Sequence, residues 1–333
     1  MQTEKPDVDP RHLDNNHAYI SDLEVDQELN CFYMVKQSAV RTGSNGKLYF
    51  NLTLGDCTGE VRGNKWDVQE TDIPSLEQIQ AGKMVRIIAR VTEYQKSKQL
   101  RITRIRLAQD QDQLEMERYI KCAPEKSEDM YDYIHSVAKS MTDPDLNKLS
   151  IRVLEDHKKE LMYYPAASRN HHAEYGGLLY HMKRMLMHGI KVCEVYTDLN
   201  RDLLATGVIV HDIMKIREIE SNEYGISPGY SMEGEMLGHL VMGVKYLDRL
   251  AEELGFPEEK RIMVEHMVLS HHYEPEFGSP KRPMFPEAEV LHYLDIMDAR
   301  IYDMYEALSS VDPGKFSDKV WTLENRKIYR PKG

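Results

Sequence analysis

Apolar and polar residues alternate along the segment from Leu29 to Ala108, which is the pattern of half-buried β-strands. Asn45-Gly46 is a hairpin turn signal between the first two of these strands, and residues 73–81 have the spacing of a short helix between the third and the fourth. Five strands with a helix after the third are typical of an OB-fold barrel. The predicted strands are 31–35, 48–54, 61–66, 84–91 and 100–107.

Beyond residue 126 the apolar spacing becomes helical. Ser127 is followed by Glu128 and Asp129, which are favourable residues for a helix cap and its first turn. Helices are predicted at about 130–141, 146–162, 174–194, 201–215, 231–254, 258–272 and 285–308.

These patterns predict a multidomain α and β protein, with an N-terminal five-stranded OB-fold β-barrel followed by an all-α domain. We expect an acidic N-terminal extension, the barrel, a linker, the helical domain and a basic C-terminal tail. Their predicted bounds are 1–28, 29–108, 109–126, 127–316 and 317–333.

The amino-acid composition indicates a folded globular protein but does not indicate a function. The 333 residues are 41% apolar and 29% charged, as in folded globular proteins. No apolar stretch approaches the roughly 18 to 20 residues that span a bilayer, and the first residues lack the regions of an export signal. The four cysteines lie far apart and are expected to be reduced thiols. We therefore expect a cytoplasmic protein that does not bind membranes.

The net charge of −12 hides an asymmetry along the chain. Residues 1–28 carry 2 basic and 8 acidic side chains, residues 29–108 carry 13 and 7, and residues 109–333 carry 28 and 40. The predicted barrel is the basic part, and a basic surface supplies affinity for the phosphates of a nucleic acid. The alternative is a mildly basic barrel with solvated lysines, and charge alone favours neither.

Histidine and aspartate are placed together in the helical part. His211-Asp212 follows the apolar run 207–210, so an imidazole and a carboxylate come to the end of a buried segment, where an unpaired charge is costly. A bound cation would remove that cost. Imidazole and carboxylate without a nearby thiolate suit Mn, Fe, Co, Ni or Zn, and Asp212 is the best candidate to bridge two metals. Lys215 is expected on the same face, to stabilise a phosphate, unless it is simply a solvated lysine.

The order of these residues resembles the H…HDxxK…H…HH…D pattern of the HD-superfamily metal phosphohydrolases. Within that superfamily the chain is similar to the YhaM-type 3′→5′ exoribonucleases, in which an OB-fold precedes the HD domain. The resemblance covers about residues 29–331 and is most specific between Ser270 and Asp298. It is carried by Tyr164-Pro165-Ala166-Ala167, Asn170-His171-His172, Gly177 to His181, His211 to Lys215, Glu233 to His239, Leu269 to His272 and Ala288 to Asp295.

The resemblance implies two divalent metal ions, with Mn expected and Co, Fe, Ni, Mg or Zn as alternatives. It assigns His181, His211, Asp212 and Asp295 to one metal, and Asp212, His239 and His271 to the other. Asp212, Lys215 and His272 would be catalytic, and Asn170, His171 and His172 would orient the ligands. The proton for the 3′ leaving oxygen could come from His272, Lys215 or water. One departure, Ile213-Met214 in place of the usual Leu-Gly or Ile-Gly, concerns only the position of Lys215.

The resemblance predicts hydrolysis of single-stranded RNA from its 3′ end, with single-stranded DNA as a further substrate and self-association into a homo-oligomer. Alternation places Tyr49 and Phe50 on opposite faces of a strand, so only one of them can contact RNA. The candidate RNA-binding residues are Tyr33, Lys47, Tyr49, Arg62, Lys65 and Trp66.

Two other functions compete with this one. The same metal site could act on a small nucleotide or a cyclic dinucleotide, although such a substrate needs no basic barrel. The protein could instead bind nucleic acid without catalysis, although every expected ligand position is filled.

Overall fold

The computed structural model describes residues 17–332 except 44–45, 95–96, 113, 116–117, 168–171, 173, 223, 228 and 310. The chain forms two compact units, which divide between Cys122 and Ala123. No helix in the described ranges is long and apolar enough to cross a membrane.

The first unit is a closed five-stranded barrel with the strand order β1-β2-β3-β5-β4. All its pairs are antiparallel except β3 with β5, and a short helix, α1, separates β3 from β4, so the predicted OB-fold is confirmed. The described part of the predicted turn at Asn45-Gly46 is Gly46, which has a φ of 76°. The elements are β1 (Glu28–Thr42), β2 (Leu48–Asp56), β3 (Gly59–Lys65), α1 (Ile73–Leu76), β4 (Met84–Tyr94) and β5 (Ser97–Leu107).

Helices dominate the second unit. The predicted helix at 146–162 is interrupted at His157, and the one at 201–215 ends at Val210, five residues early. The helices are α2 (Ser127–Lys139), α3 (Pro144–Asp156), α4 (Lys158–Leu161), α5 (Gly177–Val195), α6 (Arg201–Val210), α7 (Lys215–Glu218), α8 (Met232–Leu254), α9 (Glu258–Ser270) and α10 (Pro286–Leu308).

The helical unit also contains two small antiparallel hairpins that helical periodicity did not predict. The first pairs β6 (Ile219–Glu220) with β7 (Gly229–Tyr230), and the second pairs β8 (Phe316–Val320) with β9 (Arg326–Tyr329). Strands of two to five residues are too short to display a clear alternation of apolar and polar residues. The basic tail is therefore largely a β-hairpin. The rest of the second unit is mainly helical, as predicted.

Helix α6 is the centre of the helical core. Its residues from Leu203 to Val210 are all buried, and the helix contacts α2, α3, α5, α9 and α10. At Gly207 a Cβ atom would lie 2.2 Å from Cε of Met267 on α9, so the two helices approach closely there. Since α6 ends at Val210, the next two residues emerge from the middle of the core.

Candidate metal centre

Five helices of the second unit bring the predicted ligands together. His181 lies in the second turn of α5, and His211-Asp212 directly follows α6. His239 lies within α8, His271-His272 follows the end of α9, and Asp295 lies on α10. Residues that are more than a hundred positions apart in sequence therefore share one buried site.

A hydrogen bond at Nδ1 fixes the orientation of several of these imidazoles. Nδ1 of His211 lies 2.9 Å from the carbonyl oxygen of Val208, and Nδ1 of His271 lies 2.8 Å from that of Val268. In each case the acceptor is three residues earlier, at the end of the preceding helix, where carbonyl groups lack helical partners. Because Nδ1 donates the proton in these bonds, Nε2 carries the lone pair of the neutral ring.

The Nε2 atoms of four histidines lie around the carboxylate of Asp212. The distance from Nε2 to the nearer Asp212 oxygen is 3.3 Å for both His211 and His239. The corresponding distances are 3.7 Å for His271 and 3.8 Å for His181, whose Nε2 also lies 3.3 Å from Oδ1 of Asp295. Two ligands of one ion, each about 2.1 Å from it, are separated by roughly this distance.

The buried donor atoms at the centre fit a metal ion. Among the described residues, Nε2 of His211, His239 and His271 and Oδ1 of Asp212 are buried without a hydrogen-bond partner. Buried polar atoms without partners are costly and uncommon, and coordination of a cation would satisfy all of them at once. The imidazole and carboxylate donor set suits a divalent transition metal.

Possible ligand atoms form three groups among the described residues, with the atoms of each group within 4.8 Å of one another. The groups are His181, His211 and Asp212; His239, His271 and His272; and His172, His181 and Asp298. The ring of His272 lies 4.2 Å from that of His271 and 5.0 Å from that of His239, between ring centroids.

The electrostatics of the centre favour ionised Asp212 and neutral His271. Burial raises the pKa of Asp212, but the Lys215 ammonium and His211 hold it well below its usual range. Burial lowers the pKa of Lys215, yet Asp212 and Asp295 raise it above its ordinary value, and Nζ lies 2.6 Å from Oδ2 of Asp212. Burial, with His272 and His211 nearby, holds the pKa of His271 well below its usual value.

Two acidic residues that the sequence analysis did not predict contact the Nδ1 atoms of two predicted ligand histidines, on the side of the ring away from Asp212. Both oxygens of Glu218 lie within 3.0 Å of Nδ1 of His239. Oδ2 of Asp298 lies 2.9 Å from Nδ1 of His181, and Nε of Arg184 lies 2.7 Å from Oδ1 of Asp298. Asp298 is three residues after Asp295 on α10, a spacing that could have indicated a shared helix face. Glu218 carries no comparable sequence signal.

Of the three residues predicted to orient the ligands, the structure describes one. Asn170 and His171 lie outside the described residues. His172 is fully buried with a left-handed φ of 54°, and its Nε2 lies 2.9 Å from Oδ2 of Asp298. His172 therefore contacts the same carboxylate oxygen as His181.

The candidate RNA-binding residues were predicted to lie on the outer face of the barrel, and for Tyr33 this prediction is wrong. Its side chain is fully buried and its hydroxyl donates a hydrogen bond to the carbonyl of Ala18, because it points inward from β1. Tyr49 is half-buried and its ring stacks on that of the exposed Trp66, with 4.8 Å between centroids, whereas Phe50 faces the core as alternation predicted. The remaining candidates are the exposed Lys47 and Arg62 and the half-buried Lys65.

Comparison with known proteins places the chain among characterised relatives. Residues 178–300 match the HD domain family. The second OB-fold domain of replication protein A from Methanococcus maripaludis is 18% identical, with a TM-score of 0.23, and the match covers 30% of this chain and 99% of that one.

Two relatives match almost the whole chain. The 3′-5′ exoribonuclease YhaM of Geobacillus sp. (strain WCH70) is 36% identical over 92% of this chain and 93% of its own. The enzyme of the same name from Bacillus subtilis (strain 168) is 35% identical over 92% and 96%. Identity at this level across both units shows that the chain belongs to the YhaM family of 3′-5′ exoribonucleases.

Proposed function

We propose that the protein is a metal-dependent exoribonuclease that hydrolyses single-stranded RNA from its 3′ end. The observation that carries this proposal is the convergence of four histidine Nε2 atoms on Asp212, in a chain of an exoribonuclease family. We propose two metal positions and Mn as the metal. The ligands would be His181, His211, Asp212 and Asp295 for one ion, and Asp212, His239 and His271 for the other.

The protein groups around this centre are suited to phosphodiester hydrolysis. Bound divalent cations would activate the attacking water and offset the charge on the phosphoryl oxygens. Lys215 adds a fixed positive charge beside Asp212, and its side chain is 12% exposed, so it lies where a phosphate can reach it. The half-buried His272 lies beside His239 and His271 and would contact the same phosphate. Because these groups are in place before RNA binds, little reorganisation is needed during the reaction.

The barrel would hold the RNA strand that leads to this centre. A base can stack on the exposed Trp66, which is supported from behind by Tyr49. Lys47, Arg62 and Lys65 would contact neighbouring phosphates, since phosphate contacts supply most of the affinity for a single strand whatever its sequence.

Digestion of a 5′-labelled single-stranded RNA tests the proposal. With Mn²⁺ the wild-type protein should produce a ladder that shortens from the 3′ end, and EDTA should abolish it. Asp212→Ala should lose hydrolysis while retaining RNA binding. Asp198→Ala, which removes an exposed carboxylate from the same unit, should behave as wild type. A DNA strand of the same sequence, run in parallel, shows whether the sugar matters.

Two results would contradict the proposal. One is an RNA that stays intact with each divalent metal while a small nucleotide is hydrolysed, which would favour a nucleotide phosphohydrolase. The other is a variant Asp212→Ala that digests RNA as fast as the Asp198→Ala control.

A further inference from the structure

The positive charge of the barrel is concentrated on two strands that the sequence did not single out. Five of the seven arginines between residues 29 and 108 lie on β4 and β5. Their side chains point outward, since the alternate residues Ile87, Ala89 and Ile102 are buried. We call this surface the arginine face, and it consists of Arg86, Arg90, Arg101, Arg104 and Arg106, together with Phe32 on the adjoining strand β1.

The register of β4 and β5 sets these arginines opposite one another. Arg86 pairs with Arg106, and Arg90 pairs with Arg101. Between these two rows, Arg104 lies opposite Ile88. Like charges directly opposite across two strands destabilise a sheet, so the arrangement opposes folding unless an anion is present.

The protein's own carboxylates neutralise only part of this charge. Arg106 makes two hydrogen bonds of 2.8 Å with Asp112, and Arg90 lies 2.9 Å from Asp26. Within the described part of the chain, Arg101 and Arg104 have no carboxylate at ion-pair distance, and both are exposed. Two guanidinium groups are therefore left for an external anion.

Phe32 adds an aromatic surface at the edge of this charge. The guanidinium carbons of Arg86 and Arg106 lie 5.6 and 5.7 Å from the centre of its ring. Phe32 and Arg86 also line a cleft of about 720 Å³. Three acidic residues line that cleft, Glu28, Asp112 and Glu115, and the last two are paired with Arg106 and Arg118.

We propose that the arginine face is a second RNA-binding surface of the barrel, which binds the phosphate backbone of the substrate strand. An arginine side chain can form two parallel hydrogen bonds with the oxygens of one phosphate. With Arg104 between the two rows, arginines follow one another at every second position of β4, about 6.8 Å apart along the strand. A flexible polyanion can follow such a repeat with successive phosphates. None of its residues belongs to the stacked pair of Tyr49 on β2 and Trp66 after β3, although the face adjoins β3, where Asn64 pairs with Arg101. The inference rests on the proposed function, because the bound RNA is its substrate.

RNA binding by the full chain tests the inference without hydrolysis. The probe is a 5′-fluorescein single-stranded RNA longer than the roughly 4 to 16 nucleotides that one OB-fold covers, titrated in EDTA at several salt concentrations. For Arg101→Gln/Arg104→Gln we expect the slope of log Kd against log salt to fall by about 1.4, since each lost contact removes about 0.7. At low salt Kd should rise roughly tenfold. The melting temperature should not fall, because the change relieves repulsion between arginines.

A matched double variant separates this face from total charge. Lys83→Gln/Arg249→Gln removes one exposed basic side chain from each unit and should leave the salt slope at the wild-type value. The inference is overturned if both double variants have the same slope and Kd.

Hydrolysis of a dinucleotide with Mn²⁺, measured on the same proteins, should be equal in all of them. Failure of the wild type on both this dinucleotide and the long RNA with Mn²⁺ would contradict the proposed function and leave the binding result unaffected.

Discussion

Glu218 holds His239 by its backbone and by its ring. Oε1 of Glu218 accepts the backbone N–H of His239 at 2.9 Å, while Oε2 lies 2.9 Å from Nδ1 of the same residue. The backbone N–H is available because Gly238, with φ 68° and ψ 159°, interrupts α8 directly before His239. Glu218 thus caps the second half of the helix and at the same time fixes the imidazole of His239, a proposed metal ligand.

Replacing Glu218 with glutamine should weaken metal binding more than folding. An amide is uncharged and replaces one carboxylate oxygen with an NH2 group, so it is a weaker acceptor for the backbone N–H and the Nδ1 proton of His239. We expect Mn²⁺ affinity to fall about 10- to 100-fold, measured by calorimetric titration of the metal-free protein. Glu220→Gln changes an exposed neighbour on β6 and should keep wild-type affinity. Equal affinities in the two variants would contradict this role for Glu218.

Asp298 should act in the same way on the other side of the centre. Asp298→Asn places an amide where a carboxylate now contacts His172, His181 and Arg184. We expect Mn²⁺ affinity to fall about 10- to 100-fold and RNA hydrolysis to recover when Mn²⁺ is raised to saturation. Asp318→Asn, at an exposed position on β8, is the control. If activity stays low at saturating Mn²⁺, Asp298 does more than position His181.

Removing the exposed ring of Trp66 should weaken RNA binding by about 1–3 kcal/mol, the contribution of one stacked base. Tyr196→Ala, which removes a ring that is 64% exposed in the other unit, should have no effect. Anisotropy titration in EDTA measures both. An unchanged Kd for Trp66→Ala would show that no base stacks at this position.

Asp143 gives a pH-dependent contribution to stability away from the metal centre. It caps α3 by accepting the N–H groups of Asp145 and Leu146, and Nζ of Lys260 lies 2.7 Å from its carboxylate. Burial raises its pKa, but Lys260 and these two N–H groups lower it below the ordinary value. We expect Asp143→Ala to lower the free energy of unfolding by about 0.5–2 kcal/mol at pH 7.

The sign of the pH dependence follows from that lowered pKa. A carboxylate with a lower pKa in the folded state contributes stability above its unfolded pKa of about 3.9 and loses it as the pH falls through the folded value. The difference between wild type and Asp143→Asn, which keeps an oxygen cap, should therefore shrink below about pH 4. Urea unfolding at a series of pH values measures this, and a difference that grows on acidification would contradict it.

Two kinds of feature could be predicted from the sequence: elements with a regular apolar periodicity, and residues that match the motifs of a known family. Alternation in β1 to β5 indicated the barrel, and the family resemblance between His181 and Asp295 indicated residues that the fold brings together. Tyr33 was assigned to the wrong face of the barrel, although strict alternation along β1 puts it on the same inward face as the buried Leu29, Cys31 and Val35. Glu218 could not be predicted, since its contact with His239 depends on how α7 packs against the break in α8.

The bonds from His211 to Val208 and from His271 to Val268 tie each ligand to the rotational phase of its own helix. Inserting a single residue into α6 or α9 would turn the ring by about 100° and shift it by about 1.5 Å along the axis. An insertion in α6 would turn His211 and Asp212 together away from the other ligands, and an insertion in α9 would turn His271 away from Asp212. Family members are accordingly expected to keep the length of α6 and α9 constant and to vary in length between helices.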